Sequence, residues 1–166
     1  MPMARILFIP SILLLSTSVG CVTTRGPGDV DLRSDGSPVP EPCSEKSLEV
    51  MRYLKVRVGD AALIQLDANQ MSAQPVTLYD GPVESVLMDN LGTLDSPSRL
   101  YGWIWTGGPQ IVIRYYEAHP MDGDKVPVCA VARLGKGQMR KRPESTPGTA
   151  IVEHNMADAF IVDSYR

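Results

Sequence analysis

The chain is poor in aromatic residues (6%), holds only 2 His and 3 Cys, and lacks any basic excess, with 16 Lys+Arg against 19 Asp+Glu and a formal charge of -3. Binding to nucleic acid driven by net charge is thereby excluded, because counterion release needs a surplus of Lys and Arg. With so few histidines and no Cys-x-x-Cys, the sequence offers no ligand set for a metal, and no pattern implies a cofactor. Charged residues make up only 21%, while 14 Gly and 14 Pro punctuate the 166 residues, a turn-rich composition unlike that of a helical bundle. Internal repeats and long βαβ units are also missing, which disfavours a doubly wound nucleotide fold. A spanning helix takes roughly 20 apolar residues. The N-terminal apolar run falls short of that and is interrupted by Pro10.

That run has the grammar of a secretory signal: basic Arg5, apolar residues from Ile6 to Leu15, then Ser16, Thr17, Ser18, Val19 and Gly20. Residues 1–20 are expected to be processed rather than folded. Ser18-Val19-Gly20-Cys21 resembles the lipobox of bacterial lipoproteins; Gly20 and Cys21 match it, whereas Ser18 stands where an aliphatic residue is usual. The resemblance implies that Cys21 becomes a lipidated first residue carrying acyl chains such as palmitate. Each buried CH₂ contributes about 0.8 kcal/mol, and several chains together give a stable anchor without a span. Val22 follows the cysteine where Asp would imply inner-membrane retention, so the resemblance places the protein in the bacterial envelope, at the outer membrane. The alternative is an ordinary secreted protein with Cys21 in a disulfide. With Cys21 lipidated, Cys43 and Cys129 remain as an even pair in an oxidising compartment, and a disulfide between them is expected. Two buried free thiols are the competing reading.

Four Pro and three Gly lie among scattered charges between Val22 and Pro42, so residues 21–42 read as a disordered tether and 43–166 as the globular domain. Ser44 is a plausible N-cap for one short amphipathic helix over 44–54, with Leu48, Met51 and Leu54 on one face. Beyond Lys55 the apolar period becomes two. Strands are expected over 56–58, 62–66, 75–79, 83–88, 99–106, 110–118, 127–134, 149–153 and 160–164, separated by Gly, Pro, Asn and Asp turns. The fold class is mainly β: an antiparallel β-sandwich or barrel with one short N-terminal helix.

The hairpin through Gly107-Gly108-Pro109 places Tyr101, Trp103 and Trp105 on one face, with a three-residue connection setting them opposite Tyr115, Ile113 and Ile111. This stripe is either the core or a stacking platform for a glycan such as peptidoglycan. Arg133, Lys136, Arg140, Lys141 and Arg142 form a basic run suited to lipid phosphates or anionic polysaccharide, with a solvated loop as the bland alternative. His119 and His154 read as loop residues, and Asp122-Gly123-Asp124 as a turn rather than a Ca²⁺ loop.

The stretches PCSEKSLEVM (42–51), RYYEAHPMDGDKVPVC (114–129) and the ending from Gly148 to Arg166 resemble a group of small myxobacterial secreted lipoproteins, in which a Cys-containing helix start leads into a β-meander. No settled activity follows from that resemblance. Some members carry a serine/threonine kinase label, but Gly-rich loop, HRD-type and DFG elements are all missing from this sequence. The sequence therefore points to a non-catalytic binding or structural domain on an envelope lipoprotein, whose partners are the membrane through the anchor and an envelope protein or glycan, not nucleic acid. The alternatives are a glycan-directed envelope enzyme using carboxylates such as Glu117 and Asp122, or a subunit of an envelope complex.

Overall fold

The computed structural model describes residues 25–166; Cys21 and the signal segment lie outside them. In chain order the elements are β1 (Glu41–Pro42), α1 (Glu45–Tyr53), β2 (Ala61–Gln65), β3 (Val76–Tyr79), β4 (Gly81–Leu87), β5 (Arg99–Trp105), β6 (Gln110–His119), β7 (Val126–Arg133), β8 (Met139–Arg140), β9 (Thr149–Val152), β10 (Met156–Ile161) and β11 (Ser164–Tyr165). Strands run in the order β5-β4-β2-β10-β7-β6, and β6 pairs back onto β5, so six antiparallel strands close a barrel. Closure removes the free edges that an open sheet would expose. Outside the ring, β8 pairs with the first residues of β6, β3 pairs with β9, and β1 pairs with β11.

Alternation along each strand fills the barrel with side chains. Ile64, Leu87, Leu100, Ile104, Ile113 and Tyr115 are almost wholly buried, and small Ala130, Ala132, Ala157 and Ala159 on β7 and β10 make room for them. Tyr115 is the one large polar group in this interior: its hydroxyl pairs with Ser85 Oγ at 2.7 Å, and Ser85 donates to the Leu66 carbonyl at 2.6 Å. Burial pushes the Tyr115 phenol well above its ordinary pKa, so it stays neutral inside the barrel. Gly102 on β5 crosses Tyr115 where the β6 register shifts; a Cβ there would lie 2.0 Å from the Arg114 carbonyl oxygen.

The helix begins as expected, with Ser44 accepting from the Ser47 N–H. Its end explains why the strand expected over 56–58 does not form. Lys55 adopts positive φ, its N–H donates to the Arg52 carbonyl, and Val56 N–H reaches back to the Met51 carbonyl. This six-to-one closure buries Val56 against Met51, and a turn at Arg57 and Asp60 then delivers the chain to β2. The same helix end meets the β4–β5 loop, where Thr93 N–H donates to the Leu54 carbonyl at 2.8 Å and Leu91 and Leu94 complete the core. One end of the barrel is thus closed by packing.

Two further expectations change. β10 begins at Met156 rather than Phe160, because Ala157 and Ala159, weak strand signals on their own, face the interior beside Ile161. Residues 25–42 are not a disordered tether. They turn back onto the outer face of the barrel, with a Leu32↔Pro38 bridge, an Arg33 N–H to Ser37 carbonyl bond of 2.8 Å, and β1 paired with β11. The expected disulfide joins Cys43, just before α1, to Cys129 on β7, with Cα atoms 5.9 Å apart.

Candidate functional site

The aromatic stripe on β5 is neither the barrel core nor an open platform. A four-residue connection, 106–109, replaces the expected three-residue one. Thr106 leaves the ladder because its N–H and hydroxyl both bond to Asp80 Oδ1, at 2.5 and 3.0 Å. The register therefore slips by one: Trp105 faces Val112, Trp103 faces Arg114 and, past the bulge, Tyr101 faces Glu117. A one-residue slip exchanges the two faces of a strand. Leu100 and Ile104 point inward, and the three aromatics point outward.

The 25–42 segment lies across this outer face as a strap. Gly28 rests on the Trp103 indole so closely that a Cβ would come within 2.5 Å of the ring, and Gly36 packs on Gly107. Arg114, only 1% exposed, donates to the Val39 carbonyl at 2.8 Å and to Glu41 Oε1 at 3.3 Å. Its guanidinium lies between the Trp105 and Tyr165 rings, 5.3 and 5.0 Å from their centroids. Tyr116 adds a hydroxyl bond to the same Glu41 oxygen at 3.3 Å. Trp103 is thus occupied by this chain's own strap, Trp105 is buried under the Arg114 guanidinium, and Tyr101 stacks on His119 at 4.1 Å.

The basic run does not form one surface. Arg133 lies over the Phe160 ring with its Nε buried and unbonded, and Lys136 sits in an exposed turn. Lys141 donates to the Thr106 carbonyl at 2.8 Å. Arg142 lies 3.9 and 3.6 Å from Glu144 and Glu153. Arg140 alone of the five lines an apolar cavity.

That cavity, about 200 Å³, lies at the end of the barrel opposite the helix C-terminus, where β2 and β7 finish and β10 begins. Leu66, Leu134, Met139, Val152 and Met156 give it an apolar lining; Gln138, Arg140, Glu153 and His154 supply its polar atoms. Neighbouring contacts hold this end in shape. Asn155, buried between β9 and β10, bonds through its backbone carbonyl to Leu66 N–H, through Oδ1 to Asp67 N–H at 3.1 Å and through Nδ2 to the Gln70 carbonyl at 2.7 Å. β8 has just enough length to bury Met139 beside Ile111 and turn Arg140 outward. β8, Met139 and Met156 carry no signal in the sequence, because two residues have no period and lone methionines no motif.

The carboxylates considered for catalysis lie elsewhere. Glu117, on the outer face of β6, contacts His119 at 2.5 Å and Lys125 at 3.6 Å. The hydrogen bond from His119 holds its pKa below the usual carboxylate value, aided by Lys125. Asp122 occupies an exposed turn. No group of three or more His, Cys, Asp or Glu side chains is arranged to hold a metal among the described residues. No family model, curated protein or solved structure matches this chain.

Proposed function

We propose that the protein is a lipid-anchored module of the bacterial envelope that binds an apolar group at the open end of its barrel and does no covalent chemistry on it. The cavity lined by Leu66, Leu134, Met139, Val152 and Met156 carries this reading. Mouths of β-barrels are favoured ligand sites, and methionine adapts its thioether to irregular apolar shapes. A glycan-directed reading has less support, because Trp103 and Trp105 are covered and Glu117 is engaged by His119 and Lys125. The anchor rests on the resemblance of Ser18-Val19-Gly20-Cys21 to a lipobox.

Two measurements test the halves separately. Intact mass of the membrane-extracted full chain should show a mature species starting at Cys21 with added acyl mass, and Cys21→Ala should abolish it; an unacylated soluble product overturns the anchor. In the lipid-free full chain carrying Cys21→Ala and ¹³C-methyl methionine, 1-octanol should shift the Met139 and Met156 methyl resonances in a saturable way. If instead the shifts spread over all methionines without saturation, the cavity is not a binding site.

A further inference from the structure

We infer that this same cavity is selective for a medium-chain amphiphile with one anionic head, such as a carboxylate. The inference rests on the proposed apolar site and adds the chemistry of its ligand. Arg140, Lys141 and Arg142 are consecutive, yet their charges have different fates. Lys141 is spent on the Thr106 carbonyl and Arg142 lies beside Glu144 and Glu153. Arg140 has no ion-pair partner among the described residues, is exposed, and lines the cavity. Glu153 is the one carboxylate on that lining, and it shares Arg142, at 3.6 Å, with Glu144. The rim therefore presents one cation without an ion-pair partner, Arg140, above an apolar floor.

The surroundings carry both signs of charge. Gln138 lines both this cavity and a neighbouring one of about 310 Å³, whose wall includes Arg33, Arg114 and Arg166 against Asp35. Arg33 has no ion-pair partner among the described residues, whereas Arg114 is held by Glu41 and Arg166 lies near Asp163. Arg33 faces Asp35 on that wall, so the neighbouring cavity is balanced in charge and the selectivity rests on Arg140. Size restricts the chain: at about 30 Å³ for each water-sized unit, a cavity of about 200 Å³ holds on the order of six or seven such units. An alkyl tail of about six or seven carbons, such as that of octanoate, matches it, and a longer one leaves methylenes in water.

The test compares octanoate, 1-octanol and octyltrimethylammonium on the lipid-free full chain, with Kd read from the Met139 and Met156 methyl resonances. Octanoate should bind about three- to fivefold tighter than 1-octanol, as an exposed ion pair allows, and the cation should bind weakest. Arg140→Gln should bring octanoate to the octanol value while leaving octanol unchanged, and high salt should do the same to the native chain. From butanoate to octanoate each CH₂ should tighten binding about fourfold, equivalent to 0.8 kcal/mol, with no further gain at hexadecanoate. Equal affinity for octanoate and octanol, or equal weakening of both by Arg140→Gln, overturns the anionic selectivity and leaves the apolar site standing. Absence of a saturable shift with all three probes overturns both.

Discussion

Arg114 shows how much one buried charge can organise. It sits on a barrel strand, yet its hydrogen bonds go to the strap, at the Val39 carbonyl and Glu41, and its guanidinium lies over the Trp105 and Tyr165 rings. Arg114→Met keeps the volume but strands a carboxylate and a carbonyl. We expect a loss of about 2–3 kcal/mol in urea unfolding, lessened because Glu41 keeps some contact with water. An unchanged midpoint would mean that the strap is held without it. Glu117 gives a pH prediction at the same scale. Its folded pKa is depressed, first by the His119 hydrogen bond, so the stability it contributes is present above its unfolded pKa and lost as pH falls through the folded one. Both partners are 36% exposed, so the effect on stability is small and is best read by carboxyl NMR. His119→Gln should move the Glu117 titration upward toward the ordinary carboxylate value; an unmoved titration would assign the depression to Lys125.

The Cys43–Cys129 bridge acts at the scale of elements, pinning the approach to α1 onto β7 across an 86-residue separation. On the chain-entropy model a loop of that size is worth about 4–5 kcal/mol. The double variant Cys43→Ala/Cys129→Ala should lower the calorimetric Tm by on the order of 10–20 °C, and a drop of only a few degrees would show that helix packing suffices without the bond. Elements of this kind were legible where a long period or a strong cap marked them. The 99–106 and 110–118 strands, the Ser44 cap and the disulfide all follow from residues read in order. What escaped depends on partners distant in sequence. β1 and β11 have two residues each and exist only because Glu41 and Tyr165 meet across the whole domain. The hairpin register turned on Asp80, well upstream, capturing Thr106. The cavity needed the ends of several strands to be assembled before Leu66, Met139 and Val152 became neighbours.

At the scale of the whole molecule, the strap changes what an anchor at Cys21 would mean. A disordered segment over 21–42 would let the domain roam about 25 Å from the lipid. Instead, the ordered contacts begin by Arg25, which lies 3.7 Å from Asp31, and Gly28 already rests on Trp103. On the proposed anchor only three residues lie between Cys21 and Arg25, and the four Cα–Cα steps reach at most about 14 Å even when fully extended. The barrel is then a short-leashed body whose search for a ligand is confined to a thin layer above the bilayer. Within that layer, a molecule leaving the membrane is met at high local concentration before bulk solvent dilutes it.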